Sequence, residues 1–506
     1  MVEEKGEVEK SLKLLARSSF VVFVFVVLSK LLTYLYTIVI ARKFGPNEYG
    51  LFSLGLMIFI LASTFAALGL PDGLLRFIPL YKEKEPKKSK YLLGLTFKIS
   101  LFLSFLVGVA LFLLSDYISL YVFHDAELSI FLKIFGLLIP INVISSIFLS
   151  VIKSYERITT YSFIINFFQN ALKLLAILVL IIIGLKTYAI MFSYALGVIG
   201  VAFVSFFASK KYLGFLNKAV ELKDKKGSLR KEFFSYSWPM IFLGLISGFF
   251  YWTDAFVIGY FRASSDVGIY SAAFAIVTLF GIAPELFMRL FFPMIVREYS
   301  NNKIDVIKQI SKQVGKWIFL LNVPVFIIVF LFPGAIINIL FGETYLSGAG
   351  VLQILAVGGF ISSLFTTPLS NLLSMKGKTK LILVNIVSIS VFNFILNIIL
   401  ISKYGLVGVA ISTTLSWILI NIAMLFEVKH YLSFVPIKKR IIRIALVSLV
   451  PTAILLFLKT RVSGDLMGLI LVSILFSLSY ILLVFITKCL DENDWIVVEA
   501  FKKKFI

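Results

Sequence analysis

Apolar runs of about twenty residues recur along the whole chain, each bounded by charge, glycine or proline, and this repetition limits the fold more than any motif does. A hydrocarbon core is crossed by about 20 residues rising 1.5 Å each. About fourteen such runs begin near Ser18, Tyr49, Tyr91, Leu128, Tyr161, Thr187, Trp238, Gly268, Trp317, Val351, Leu381, Leu406, Ile441 and Leu466. Of the 506 residues, 60% are hydrophobic and 15% charged, where soluble domains carry about 25% charge. Dissolved in water, such a chain would expose apolar patches far beyond what a monomer tolerates. Soluble enzymes and disordered proteins are excluded, and the expected fold is all-α and integral to a membrane.

The net charge of +22 would ordinarily suggest nucleic acid. Here the positive residues must lie in short loops between apolar runs, where they set topology and meet anionic headgroups. No nucleic-acid partner is expected. With the N-terminus cytoplasmic, thirty-seven Lys and Arg fall in inner segments and seven (Arg42, Lys43, Lys186, Arg262, Lys403, Lys459 and Arg461) in outer ones. The bias predicts a multi-pass protein of the cytoplasmic membrane with both termini inside. The first apolar run lacks a small-residue cleavage site and reads as a retained helix. One cysteine, Cys489, and two histidines, His124 and His430, leave no disulfide framework and no zinc site.

The longest polar interruption, 209–237, divides the chain. An N-terminal lobe of helices 1–6 is expected over 1–208, a cytoplasmic linker over 209–237, a second lobe of helices 7–12 over 238–431, and helices 13–14 with a cytoplasmic tail over 432–506. No loop has room for a soluble catalytic or nucleotide-binding domain. Gly377-Lys378-Thr379 has Leu372 where a phosphate-binding loop needs its first glycine, so no nucleotide or other cofactor is expected. Two stretches echo each other. Gly50-Leu51-Phe52-Ser53 precedes Pro71-Asp72-Gly73-Leu74-Leu75-Arg76, and Gly268-Ile269-Tyr270-Ser271 precedes Pro284-Glu285-Leu286-Phe287-Met288-Arg289. Both copies would run in the same direction, which relates the lobes by an axis along the membrane normal.

The run Ala41-Arg42-Lys43-Phe44-Gly45-Pro46-Asn47-Glu48-Tyr49-Gly50, the turn Leu68-Gly69-Leu70-Pro71-Asp72-Gly73, Leu340-Phe341-Gly342-Glu343-Thr344-Tyr345 and Tyr404-Gly405-Leu406-Val407-Gly408 carry a resemblance. With them the chain resembles the polysaccharide transporter family (O-antigen and teichoic-acid type flippases) of the multidrug/oligosaccharidyl-lipid/polysaccharide exporter superfamily. Fourteen spans and Phe77-Ile78-Pro79 also look like its lipid II flippase branch. The resemblance implies two pseudo-symmetric six-helix lobes plus two C-terminal helices. It also implies movement of a polyprenyl- or dolichyl-phosphate-linked glycan from the cytoplasmic to the outer leaflet by alternating access, with no catalytic residues. Partners would be the lipid-linked glycan, membrane lipids and glycan-assembly enzymes; the oligomeric state is left open.

A charge at the bilayer centre costs about 2.5–3.5 kcal/mol on insertion scales, so one kept there faces a cavity or a partner. Lys30, near the middle of the first span, is a candidate for substrate phosphate or for an ion pair with Asp254. Asp254 is a candidate for a coupling proton or Na⁺, or for pairing with Lys30 or Lys173. Glu285 and Arg289, four apart, either neutralise one another or leave Arg289 to meet phosphate while Glu285 positions it. Asn166, Gln169, Asn170 and Lys173 form one helical face, suited to sugar hydroxyls or to interhelical bonding. Asp72 and Arg76 read as interfacially solvated, Lys98 and Lys133 as snorkelling, Asn393 and Asn397 as helix-knitting, and Gly244 with Gly248 as a packing device. Two rivals stand beside the flippase: a cation-coupled drug exporter of the same superfamily, favoured by Asp254 and Glu285, and a membrane glycosyltransferase or polymerase, disfavoured by short outer loops.

Overall fold

The computed structural model describes residues 2–213, 226–438, 440–459 and 466–490. Most of the expected linker, 214–225, and the expected cytoplasmic tail, 491–506, lie outside the described residues. The described chain is all helical and divides into two compact units, 1–271 and 272–506. The first holds α1 (Val2–Ala67), α2 (Leu70–Tyr81), α3 (Pro86–Tyr117), α4 (Leu128–Ser154), α5 (Ile158–Ser162), α6 (Gln169–Ile182), α7 (Tyr188–Ser209), α8 (Lys226–Phe261) and the start of α9 (Ser264–Val277). The second holds the end of α9, then α10 (Ile282–Ser300), α11 (Ile304–Leu331), α12 (Pro333–Phe341), α13 (Ala349–Met375), α14 (Thr379–Leu432), α15 (Arg440–Lys459) and α16 (Leu466–Ile486).

Among the described residues, 12 helical stretches are long and apolar enough to cross a membrane. Two of these are far longer than one crossing needs: Val24–Ala67, of 44 residues, and Thr379–Leu432, of 54. Each contains a single non-helical glycine. Gly45 sits at φ 84° before Pro46, and Gly405 at φ 56°, a region that side chains with a Cβ adopt only under strain. At both glycines the chain folds back. Tyr36 and Phe52, on either side of Gly45, bring their ring centroids within 6.4 Å. Across Gly405, the Asn393 amide donates to Thr413 Oγ1 at 3.3 Å and ties the two arms of the hairpin, while Asn397, on the same arm, donates to Asn393 Oδ1 at 3.2 Å.

In the first unit, α2 is a short amphipathic helix whose Leu74, Phe77 and Ile78 are buried against Leu92 and Leu93 of α3, Ile147 and Val151 of α4, and Leu229 and Phe233 of α8. Each such side chain taken out of water contributes about 1.5–3 kcal/mol. Residues 226–237, expected as linker, are the opening turns of α8, because Leu229 and Phe233 recur at a four-residue interval and present one apolar face. Gly244 and Gly248 of the same helix lie against Thr64 and Leu61 of α1, as a packing device would. Asp72 stands in the first turn of α2. Burial pushes its carboxyl above its ordinary value, against the opposing pull of the Lys153 charge. Because the folded value is raised, this group's contribution to stability is complete below the unfolded pKa and is lost as pH rises through the folded one. Asp72→Asn will therefore unfold at the wild-type temperature in acid and above it at neutral pH. The same midpoint for both proteins at both pH values would contradict this.

The two echoing segments touch. A Cβ on Gly268 would lie 2.0 Å from the Pro46 carbonyl oxygen, and one on Gly50 would lie 1.7 Å from the Ser264 carbonyl oxygen. The carbonyl met in each case stands four residues before the other glycine, so the contact is reciprocal, as in an isologous pairing about a two-fold. Around it Ser264 Oγ donates to Asp125 at 2.6 Å and the Asn47 amide to Glu127 at 3.2 Å.

In the second unit, the Asn322 amide ties α11 to the Phe280 carbonyl (3.0 Å) and to Ser363 Oγ (2.8 Å). The C-terminal pair α15–α16 docks on α11 through Ile444, Tyr480 and Val484 packed against Phe319 and Val323, and Tyr480 donates to the Leu320 carbonyl at 3.1 Å. Lys316, one of the thirty-seven positive residues expected in inner segments, is instead fully buried and part of α11. In the first unit, Lys133 pairs with Asp116 at 2.9 Å.

Candidate functional site

The polar face of α6 does not act as one surface. Asn166 lies in a π-helical turn, 163–168, that precedes α6, so the stripe does not follow one uniform helical period. Asn166 turns back to Ser162 Oγ at 2.8 Å. Asn170, buried, crosses to α1 and donates to Ser29 Oγ at 3.0 Å, immediately before Lys30 in the chain. Lys30 itself is partly exposed on α1.

Lys173, one turn beyond Asn170, runs its stem over Gly197 of α7, where a Cβ would come within 2.5 Å of the lysine Cγ. Its ammonium lies 5.5 Å from the ring centroid of Tyr36 and 5.6 Å from that of Tyr194. Both distances suit attraction between a cation and the negative face of a ring. The cage is itself held: Tyr36 hydroxyl and Ser193 Oγ are 3.0 Å apart, and the Tyr194 ring packs against Phe52, Phe59 and Phe135. A partly buried cation thus joins α1, α6 and α7.

Asp254 of α8 is buried and accepts a hydrogen bond from the Tyr270 hydroxyl of α9 at 2.5 Å. Tyr270 is the aromatic residue of the second echoing segment, so the repeat supplies the carboxylate's donor.

In the second unit, Arg289 and Glu285 form an ion pair of 2.9 Å along α10, with half of the arginine side chain exposed. The pair lines a cavity of about 500 Å³ shared with Met288, Thr367 and Asn371. The pairing leaves guanidinium donors beyond the one engaged with Glu285, since a guanidinium has five N–H groups in a fixed fork. Tyr36, Tyr194, Thr367 and Asn371 are not singled out by the sequence. Nothing in their local pattern separates them from the other tyrosines and polar residues of apolar helices.

Residues 15–297, more than half of the chain, match the family described as polysaccharide biosynthesis protein. A Shigella flexneri protein described as a candidate O-antigen transporter is 24% identical over 75% of this chain and 89% of its own length. Agl15 of Haloferax volcanii, described as a candidate low-salt glycan biosynthesis flippase, is 29% identical over 44% of this chain and 46% of its own. The fold is similar to that of a structure described as lipid II flippase MurJ, inward closed conformation, with a TM-score of 0.73 and 17% identity, covering 92% of this chain and 98% of that one. By the match over 15–297, this multi-pass membrane protein belongs to the polysaccharide biosynthesis protein family, in the polysaccharide-transporter branch of its superfamily.

Proposed function

We propose that the protein is a flippase that carries a lipid-linked glycan, held on a polyprenyl or dolichyl phosphate or diphosphate, from the cytoplasmic to the outer leaflet by alternating access. The observation that carries this reading is family membership joined to a MurJ-type fold over 92% of the chain. In this reading the hairpins at Gly45 and Gly405 each cross the membrane twice, which brings the 12 apolar stretches to fourteen crossings with both termini cytoplasmic. The lobes are 1–208 and 238–431, followed by two further helices. The reciprocal contact of Gly50 with Gly268 closes the outer side.

Lys30 and Arg289 bind phosphate in this scheme, and Asn166 and Asn170 shape the polar wall beside Lys30. An inside-negative potential favours outward movement of negative charge by roughly 2.3 kcal/mol per charge per 100 mV, a driving force that requires no nucleotide site. Coupling through Asp254 is the second reading, supported by its burial beside Tyr270. Scrambling of a labelled lipid-linked oligosaccharide in proteoliposomes tests both. Lys30→Ala and Arg289→Ala will each slow movement by about tenfold or more, the effect of losing a charge-assisted contact worth about 1.5–3 kcal/mol. No wild-type movement under an imposed potential, together with export of a cationic dye, would move the protein to the drug-exporter branch. Equal rates for Asp254→Asn and wild type across pH and Na⁺ would remove the coupling role.

A further inference from the structure

The first unit contains a cavity of about 380 Å³ between the end of α1, the start of α2, α4, Tyr161 of α5, and α8, within the size range of small-molecule sites. Neither Lys30 nor Arg289 lines it. Its charged groups are one carboxylate, Asp72, and one ammonium, Lys153, so the wall is balanced and a bare phosphate would face repulsion from Asp72 as well as attraction to Lys153. The rest of its polar surface consists of the Asn142 amide and hydroxyls including Ser63 and Ser146, interspersed with apolar Val143 and Met240. Tyr161 adds an aromatic ring, with the Lys153 ammonium 5.5 Å from its centroid.

Ser63 gives the cavity its direction. It is 6% exposed, it lines the space, and its hydroxyl has no hydrogen-bond partner among the described residues. Leaving a buried hydroxyl unpaired is unfavourable, and such a group wants an explanation in what the site receives. Closely spaced donors and acceptors alternating with apolar patches suit a ring that is itself hydroxylated at its edge and apolar on its faces. A compact charge would want neither the apolar patches nor the carboxylate.

Resting on the flippase reading, we infer that this cavity is a sugar subsite that holds one or two rings of the glycan headgroup, separate from the residues assigned to phosphate. The test uses carriers extracted from the source membranes, intact and after release of the glycan, with binding to the purified full-length protein measured for each. Wild type will bind the intact carrier more tightly than the bare one. Asn142→Leu will weaken binding of the intact carrier by about tenfold, as expected for lost buried hydrogen bonds, and leave the bare carrier within about twofold. Ser63→Ala serves as the second variant, since removing an unpartnered hydroxyl disturbs no internal bond; it will lower intact-carrier affinity at an unchanged thermal midpoint. Equal affinity of wild type for the two carriers would overturn the inference. So would parallel loss of both carriers in Asn142→Leu, which would mark a phosphate site, or no loss of either. Sugar-dependent binding without movement between leaflets would count against transport and leave the subsite standing.

Discussion

Gly268→Ala will lower the thermal midpoint of the purified protein by roughly 5 °C, and Gly50→Ala will do the same. Each adds a Cβ at 2.0 Å or less from a backbone oxygen, Pro46 in one case and Ser264 in the other. Backbone cannot rotate away as a side-chain tip can, so the helices must separate. Overpacking of this kind costs about 1–3 kcal/mol, more where backbone shifts are forced, and each kcal/mol moves the midpoint by about 2–4 °C in domains of 150–250 residues. The reciprocity adds a sharper expectation. Both substitutions break one crossing, so the double variant will lose little more than either single one. Additive losses would show two independent sites and refute the pairing.

Lys173→Met will raise the thermal midpoint while slowing glycan-lipid movement by about tenfold or more. Methionine keeps the length of the stem over Gly197 and removes the ammonium from between Tyr36 and Tyr194. Cation–π contacts return about 0.5–1 kcal/mol each at an exposed site and about 2 kcal/mol or more when desolvated, set against the several kcal/mol that full burial of an ion costs. A charge kept at such a cost inside a membrane protein points to use rather than to stability. Unchanged movement in the stabilised variant would reduce Lys173 to a structural element.

Hydropathy made the helical fold legible because each crossing must satisfy its backbone internally and cover itself with apolar side chains. It did not show which way a side chain points. Lys316 reads as a loop charge beside Trp317, yet it is a fully buried residue of α11. The opening of α8 reads as linker because Arg230, Lys231 and Glu232 mask the Leu229 and Phe233 face that folds it down. The α6 stripe was counted at a uniform helical period, and the π turn at 163–168 breaks that count, sending Asn166 and Lys173 to different neighbours. The echo of Gly50 in Gly268 is plain in the sequence. That the two glycines meet is a tertiary fact with no local signal.

During synthesis, the 44-residue stretch Val24–Ala67 reaches the membrane as two helical arms joined at Gly45, with Arg42 and Lys43 beside the bend. A single crossing uses about 20 residues, so neither arm leaves a soluble loop behind on which insertion machinery could pause. In the orientation proposed above, with the N-terminus cytoplasmic, the two arms enter together as a hairpin and carry two positive charges across the bilayer against the usual bias. In that orientation the denser positive cluster that emerges next, Lys82 to Lys90, would anchor the following segment on the cytoplasmic side. Early biogenesis of this protein is thus a contest between two short runs of cations, decided by their number.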